Sequence, residues 1–139
     1  MIQIISGQKG KGKTKYLLDM ANKAIKETSG TIVYLDKNSK HMYELSRDVR
    51  LINVFEYPVH SYEAFLGFLC GIISQDHDLD QVYLDSFLKL AHLAGEEIEQ
   101  AVNDLNAISE KFNVTLVLSV SEDNANLPEN AQKATVIAL

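Results

Sequence analysis

The stretch Gly7-Gln8-Lys9-Gly10-Lys11-Gly12-Lys13-Thr14 constrains this chain more than any other. It carries the full Gly-x4-Gly-Lys-Thr pattern, with no position missing. Before it, Met1-Ile2-Gln3-Ile4-Ile5 is a short apolar run that predicts a strand. After it, Lys13 to Thr28 predicts a helix with Leu17, Leu18, Ala21, Ala24 and Ile25 on one face. Strand, glycine loop and helix, in that order, are the context in which such a loop can work.

Each residue type in the loop has a physical task. Gly7, Gly10 and Gly12 reach backbone angles that other residues resist, so successive N–H groups can face one concavity. A helix N-terminus adds free amides and a dipole that favour an anion. Lys13 is placed to reach β- and γ-phosphates, and the Thr14 hydroxyl to hold Mg²⁺. The expected ligand is therefore ATP with Mg²⁺, contacted by Gly7, Gln8, Lys9, Gly10, Lys11, Gly12, Lys13 and Thr14. A plain Gly/Lys-rich surface turn would not need the flanking strand and helix.

Composition narrows the setting. The chain has 139 residues, the size of one domain spanning residues 1–139, with a core of ordinary apolar content. Its net charge of −6 argues against a general nucleic-acid surface, although Lys9, Lys11, Lys13 and Lys15 cluster at the loop. Cys70 is the only cysteine, which excludes a disulfide framework, and its apolar surroundings predict a small core residue. No apolar run approaches the ~18 residues of a membrane span. Met1 to Ile5 is too short for a signal peptide and lacks a basic start. A reducing, cytoplasmic location is expected, with no membrane partner.

The rest of the chain alternates strand and helix. Thr31 to Leu35 predicts a second strand ending at Asp36, with Gly30 before it as a left-handed helix cap. Asn38 to Arg47 predicts a short polar helix, and Leu51 to Phe55 a third strand. Ser61 is placed to cap a helix from Tyr62 to about Ser74. Gln81 to Asp85 predicts a fourth strand. A short helix from Phe87 to about Leu93 follows, then a longer one from Glu96 to about Phe112. Val114 to Val120 predicts a fifth strand, Ser121 to Asn130 a polar loop, and Ala134 to Ala138 a sixth strand. Strands apolar on both faces argue for a mostly parallel sheet covered on both sides, with ligands at the carboxyl ends of the strands. Gly7, Asp36, Glu56, Asp85 and Ser121 all fall at such ends.

Val82-Tyr83-Leu84-Asp85 has the form of a strand that ends in a metal-side carboxylate. Leu84-Asp85-Ser86-Phe87 resembles the Walker B strand of the RecA-like branch of P-loop ATPases. Thr31 to Asn38 is similar to that family's strand after the phosphate-loop helix. Val114 to Val120, with Ser119 and Ser121, is similar to its strand carrying a polar γ-phosphate sensor. The resemblance implies a P-loop three-layer α/β sandwich with six mostly parallel strands. It also implies the strand order third, second, fourth, fifth, first, sixth. Lys13, Asp36 and Asp85 are its implied catalytic group, and Thr14 with Asp85 its metal ligands.

The sequence departs from that family at one point. RecA-like ATPases usually carry Glu just past the second strand to orient the attacking water. Here the stretch is Leu35-Asp36-Lys37-Asn38, with Asn38 at the Glu position and Asp36 two residues earlier. ATP hydrolysis that is slow or partner-dependent is the expectation, and a protein partner or homo-oligomer is compatible with it. The family's nucleic-acid loops have no room here. Two alternatives stay open: a nucleoside or nucleotide kinase, and a nucleotide-binding adaptor without turnover. Arg47 and Arg50 are the only arginines, so a charge-stabilising finger must be one of them or a lysine. Tyr57-Pro58, with Val59 and His60, lies near the ligand edge and could touch a base. Tyr34 and Tyr83 read as sheet core.

Overall fold

The computed structural model describes residues 1–139. Six strands form one sheet: β1 (Ile2–Ser6), β2 (Thr31–Asp36), β3 (Arg50–Asn53), β4 (Leu79–Leu84), β5 (Thr115–Val120) and β6 (Thr135–Ala138). Their order is β3-β2-β4-β5-β1-β6, and every pair is parallel. This is the expected order, with β5 lying between β1 and β4. Ile4, Leu118, Leu84 and Leu35 stand in one row across four strands. The residues just beyond that row, Ser119, Asp85 and Asp36, therefore reach the same sheet edge.

Alternation along each strand divides the core in two. Ile4, Val33, Leu35, Val82, Leu84, Leu116 and Leu118 face one side. There they meet α2 (Tyr62–Ser74), α3 (Phe87–Leu90) and α4 (Ile98–Phe112) through Phe65, Leu69, Phe87, Leu90, Ala101 and Leu105. Ile5, Ile32, Tyr34, Tyr83 and Val117 face the other side, covered by Leu17, Leu18 and Ala21 of α1 (Lys13–Glu27). The result is a three-layer α/β arrangement. Ser61 caps α2 as expected, its hydroxyl accepting from the Ala64 amide at 3.1 Å. No helix is long and apolar enough to cross a membrane.

Local structure departs from expectation where side chains compete for the backbone. Asn38 to Arg47 forms turns rather than a helix. Asn38 Oδ1 accepts from the Lys40 amide, and Asn22 of α1 binds both the Ser46 amide and the Glu44 carbonyl. Those bonds satisfy the segment without a helical ladder. Leu45 and Val49 then seal the α1 side of the core. The third strand stops at Asn53, whose side chain caps a 3-10 turn over Val54–Glu56. The helix after β4 ends at Leu90, and α4 starts at Ile98 after a 3-10 turn over Gly95–Glu97. The loop expected from Ser121 to Asn130 holds a 3-10 turn at Asn124–Asn126 and the start of α5 (Glu129–Ala134). Cys70 is half-buried rather than a core residue.

Gly30 is not a left-handed cap. Helix α1 ends through an extended Thr28, whose amide donates to the Ala24 carbonyl. Glycine is required at position 30 for space: an added Cβ would stand 2.3 Å from the Asp78 carbonyl oxygen. That oxygen is fixed by the Thr31 amide at 2.8 Å, where β2 enters the sheet. Gly30→Ala should therefore push β2 away from the turn before β4 and cost about 1–3 kcal/mol, the usual range for overpacking. Urea unfolding measures it, and an unchanged midpoint would show that the turn yields freely.

Candidate functional site

The carboxyl edge of the sheet opens into a cavity of about 570 Å³, within the range of small-ligand sites. Its floor is the loop between β1 and α1. Gly10 and Gly12 have φ of 87° and 91°, left-handed angles that favour glycine. The amides of Gln8, Lys9, Gly10 and Gly12 donate to no acceptor in the chain, whereas Gly7 and Lys11 donate to carbonyls. Free amides thus gather at the N-terminus of the 15-residue helix α1. That arrangement attracts an anion.

Lys13 is buried, and its ammonium donates to the Gly7 carbonyl at 2.7 Å and the Gln8 carbonyl at 3.1 Å. Burial lowers its pKa, and the Asp85 charge acts in the opposite direction. Thr14 Oγ1 donates to Asp85 Oδ1 at 3.2 Å, joining the first turn of α1 to the tip of β4. Ser119 Oγ donates to the same oxygen at 2.9 Å, and Tyr34 OH donates to Oδ2 at 2.9 Å. Burial, reinforced by Asp85, pushes the Tyr34 phenol far above its ordinary range. Tyr34 is a sheet-core residue as expected, stacked on Tyr83 at 6.0 Å, and it also holds the carboxylate.

Asp36 is brought to the same edge but does not line the cavity. It is 2% exposed, Oδ1 accepts from the Lys37 amide at 2.7 Å, and Oδ2 has no partner. Burial, with the like charge of Asp85 behind it, raises its pKa from 3.8 to about 6. Lys37 lines the cavity instead, its ammonium donating to Ser86 Oγ at 3.3 Å. Ser86 sits at φ 57°, a strained angle for serine, and its amide donates to Ser119 Oγ at 2.8 Å.

Lys9, Gly10, Gly12, Lys13, Thr14 and Asp85 line the cavity, as do Ser119 and Ser121. Gly7, Gln8, Lys11 and Asn38 do not. Tyr57 lines a separate cavity against Phe68, at a centroid distance of 5.4 Å, and is not beside the loop. Neither arginine reaches the site. The sequence reading missed Lys37, His41 and Lys89, which complete the wall. Lys37 and Lys89 could have been found by the rule that located Asp36 and Asp85, because each follows a strand end within a few residues. His41 gave no such signal, since its place depends on the turns after β2. Comparison with protein-family models and with curated proteins finds no match to this chain.

The Asp36 geometry has a pH consequence. The unfolded chain loses this proton first, and the folded chain holds it until about pH 6. Stability from this group is full below pH ~4 and falls as pH rises to ~6. Asp36→Asn removes that fall, so the variant should gain on wild type between those values. The gain should plateau on the order of 1–2 kcal/mol, with solvent screening part of it. Urea unfolding across that range checks the slope, and parallel curves for the two proteins would refute it.

Proposed function

We propose that this chain is a small RecA-like P-loop protein that binds Mg²⁺–ATP at Gly7–Thr14 and hydrolyses it slowly or with a partner's help. The carrying observation is the Thr14–Asp85 hydrogen bond of 3.2 Å beside the free amides at the α1 N-terminus. A hydroxyl and a carboxylate set against an anion cradle are the protein half of a Mg²⁺–phosphate site. The chain has no cluster of three or more His, Cys, Asp or Glu able to hold a metal alone. Mg²⁺ takes one or two protein oxygens and completes its shell with phosphate and water. Thr14 and Asp85 would hold the ion, which supplies neutralisation of charge on the phosphates.

Lys13 would exchange its bonds to the Gly7 and Gln8 carbonyls for phosphate oxygens. Ser119 and Tyr34 keep Asp85 oriented. The strand order, with β5 between β1 and β4, supports the RecA-like branch over one in which β1 and β4 are neighbours.

The same geometry favours slow turnover. A general base must come within hydrogen-bond reach of its water, and it is typically worth roughly 10²–10⁴-fold. Asp36 is buried behind the wall, and Lys37 occupies the wall position. Asn38 can hydrogen-bond water but cannot take its proton.

Calorimetric titration with Mg²⁺–ATP tests binding. Lys13→Ala should lose roughly ten- to a hundredfold in affinity, the effect of one charge-assisted contact. Equal affinity in both proteins would place the site elsewhere. Phosphate release by wild type should stay well below the ~10 s⁻¹ of a typical enzyme. If Asp36 acts as base, Asp36→Asn abolishes that rate and leaves binding intact. A rate at the typical level, unchanged in the variant, would refute this assignment of the chemistry.

A further inference from the structure

The cavity holds more positive charge than the glycine loop explains. Four lysines and one carboxylate line it, in a chain whose net charge is −6. The lysines come from three places: Lys9 from the loop after β1 with Lys13 at the start of α1, Lys37 from just past β2, and Lys89 from α3 beyond β4. Their depth is graded. Lys13 is buried, Lys37 is half-buried, and Lys9 and Lys89 are exposed at the rim.

The three outer lysines have no ion-pair partner, since the salt bridges of the chain use Lys15, His41 and Lys133. Lys37 reaches only the Ser86 hydroxyl. Like charge from Lys37 and then Lys9 lowers the Lys89 pKa, so these ammonium groups are close enough to repel. Free surface lysines have the rotamer freedom to spread apart, and these converge on one opening.

A triphosphate seated on the loop is served at depth by Lys13, the free amides and a metal on Thr14 and Asp85. Cations at the rim lie outward of that set, where a separately arriving anion would meet them. We propose that Lys9, Lys37 and Lys89 form a second anion site, which holds the phosphate of a second ligand beside the bound nucleotide. Its ligand class is a free phosphate or a small phosphate monoester. The proposal rests on the nucleotide reading above.

The test uses the full chain saturated with Mg²⁺ and a non-hydrolysable ATP analogue. Inorganic phosphate, and separately a small phosphate monoester, is titrated in by calorimetry. Wild type should bind one equivalent of the better ligand. The double variant Lys37→Ala/Lys89→Ala should bind it at least roughly tenfold more weakly, a larger loss than it shows for the analogue. Lys26→Ala, at the far end of α1, serves as control and should match wild type. Thermal melts confirm that the variants fold, which removal of mutually repelling exposed charge should not prevent.

Two results would overturn the site. One is phosphate binding that the double variant leaves unchanged. The other is phosphate binding to the Mg²⁺–ADP form that the triphosphate analogue abolishes, because the lysines would then clasp the terminal phosphate itself. Failure of wild type to bind any nucleotide would instead remove the nucleotide reading. In that case the rim site stands only if phosphate still binds the protein through Lys37 and Lys89, and falls if it does not.

Discussion

Three hydroxyls converge on the Asp85 carboxylate. Thr14 brings the start of α1, Ser119 the end of β5, and Tyr34 the face of β2, at 2.9–3.2 Å. Asp85 is 3% exposed, and a carboxylate that deep is tolerated only when hydrogen-bonded. The same bonds that satisfy it fix the relative positions of the glycine loop and three central strands. The cavity has its shape because one buried charge at a strand tip needs donors from every neighbour.

Around this point the edge carries features that stability alone would not select. Ser86 holds a left-handed angle, Asp36 Oδ2 is buried without a partner, and lysines converge without counterions. Each has a destabilising sign: backbone strain, desolvation and like-charge repulsion. Beneath the edge lie two apolar layers of alternating residues and a fully parallel sheet. Left-handed backbone also occurs at His92 and Asn113, and Asn130 Oδ1 is likewise buried without a partner, but the unpaired lysines gather at this edge.

The identity of the group beyond β2 separates binding from chemistry. The backbone turns so that Asp36, the last residue of the strand, points inward, and Lys37 points into the cavity. A cation there can hold an anion but cannot accept a proton from water. The cavity wall beyond β2 is therefore cationic, and the nearby carboxylate is turned away from it.

Much of this was legible in the sequence. Continuous apolar strands alternating with amphipathic helices determined a covered parallel sheet, and the strand ends at Gly7 and Asp85 marked the edge that carries the cavity. These follow from local periodicity and from residue types whose backbone and charge requirements act over a few neighbours. The sequence failed where the deciding contact was distant. Asn38 to Arg47 lost its expected helix to bonds from Asn22 on α1, and Gly30 is required by the Asp78 carbonyl rather than by a helix cap. Tyr34 reads as core in any strand pattern, and only the pairing of β2 with β4 places its hydroxyl on Asp85. The direction of Asp36, and the meeting of Lys37 with Lys89, depend on strands 40 or more residues apart in sequence being neighbours in the sheet. Residue type fixes what a side chain can do, and tertiary structure alone decides which groups it meets.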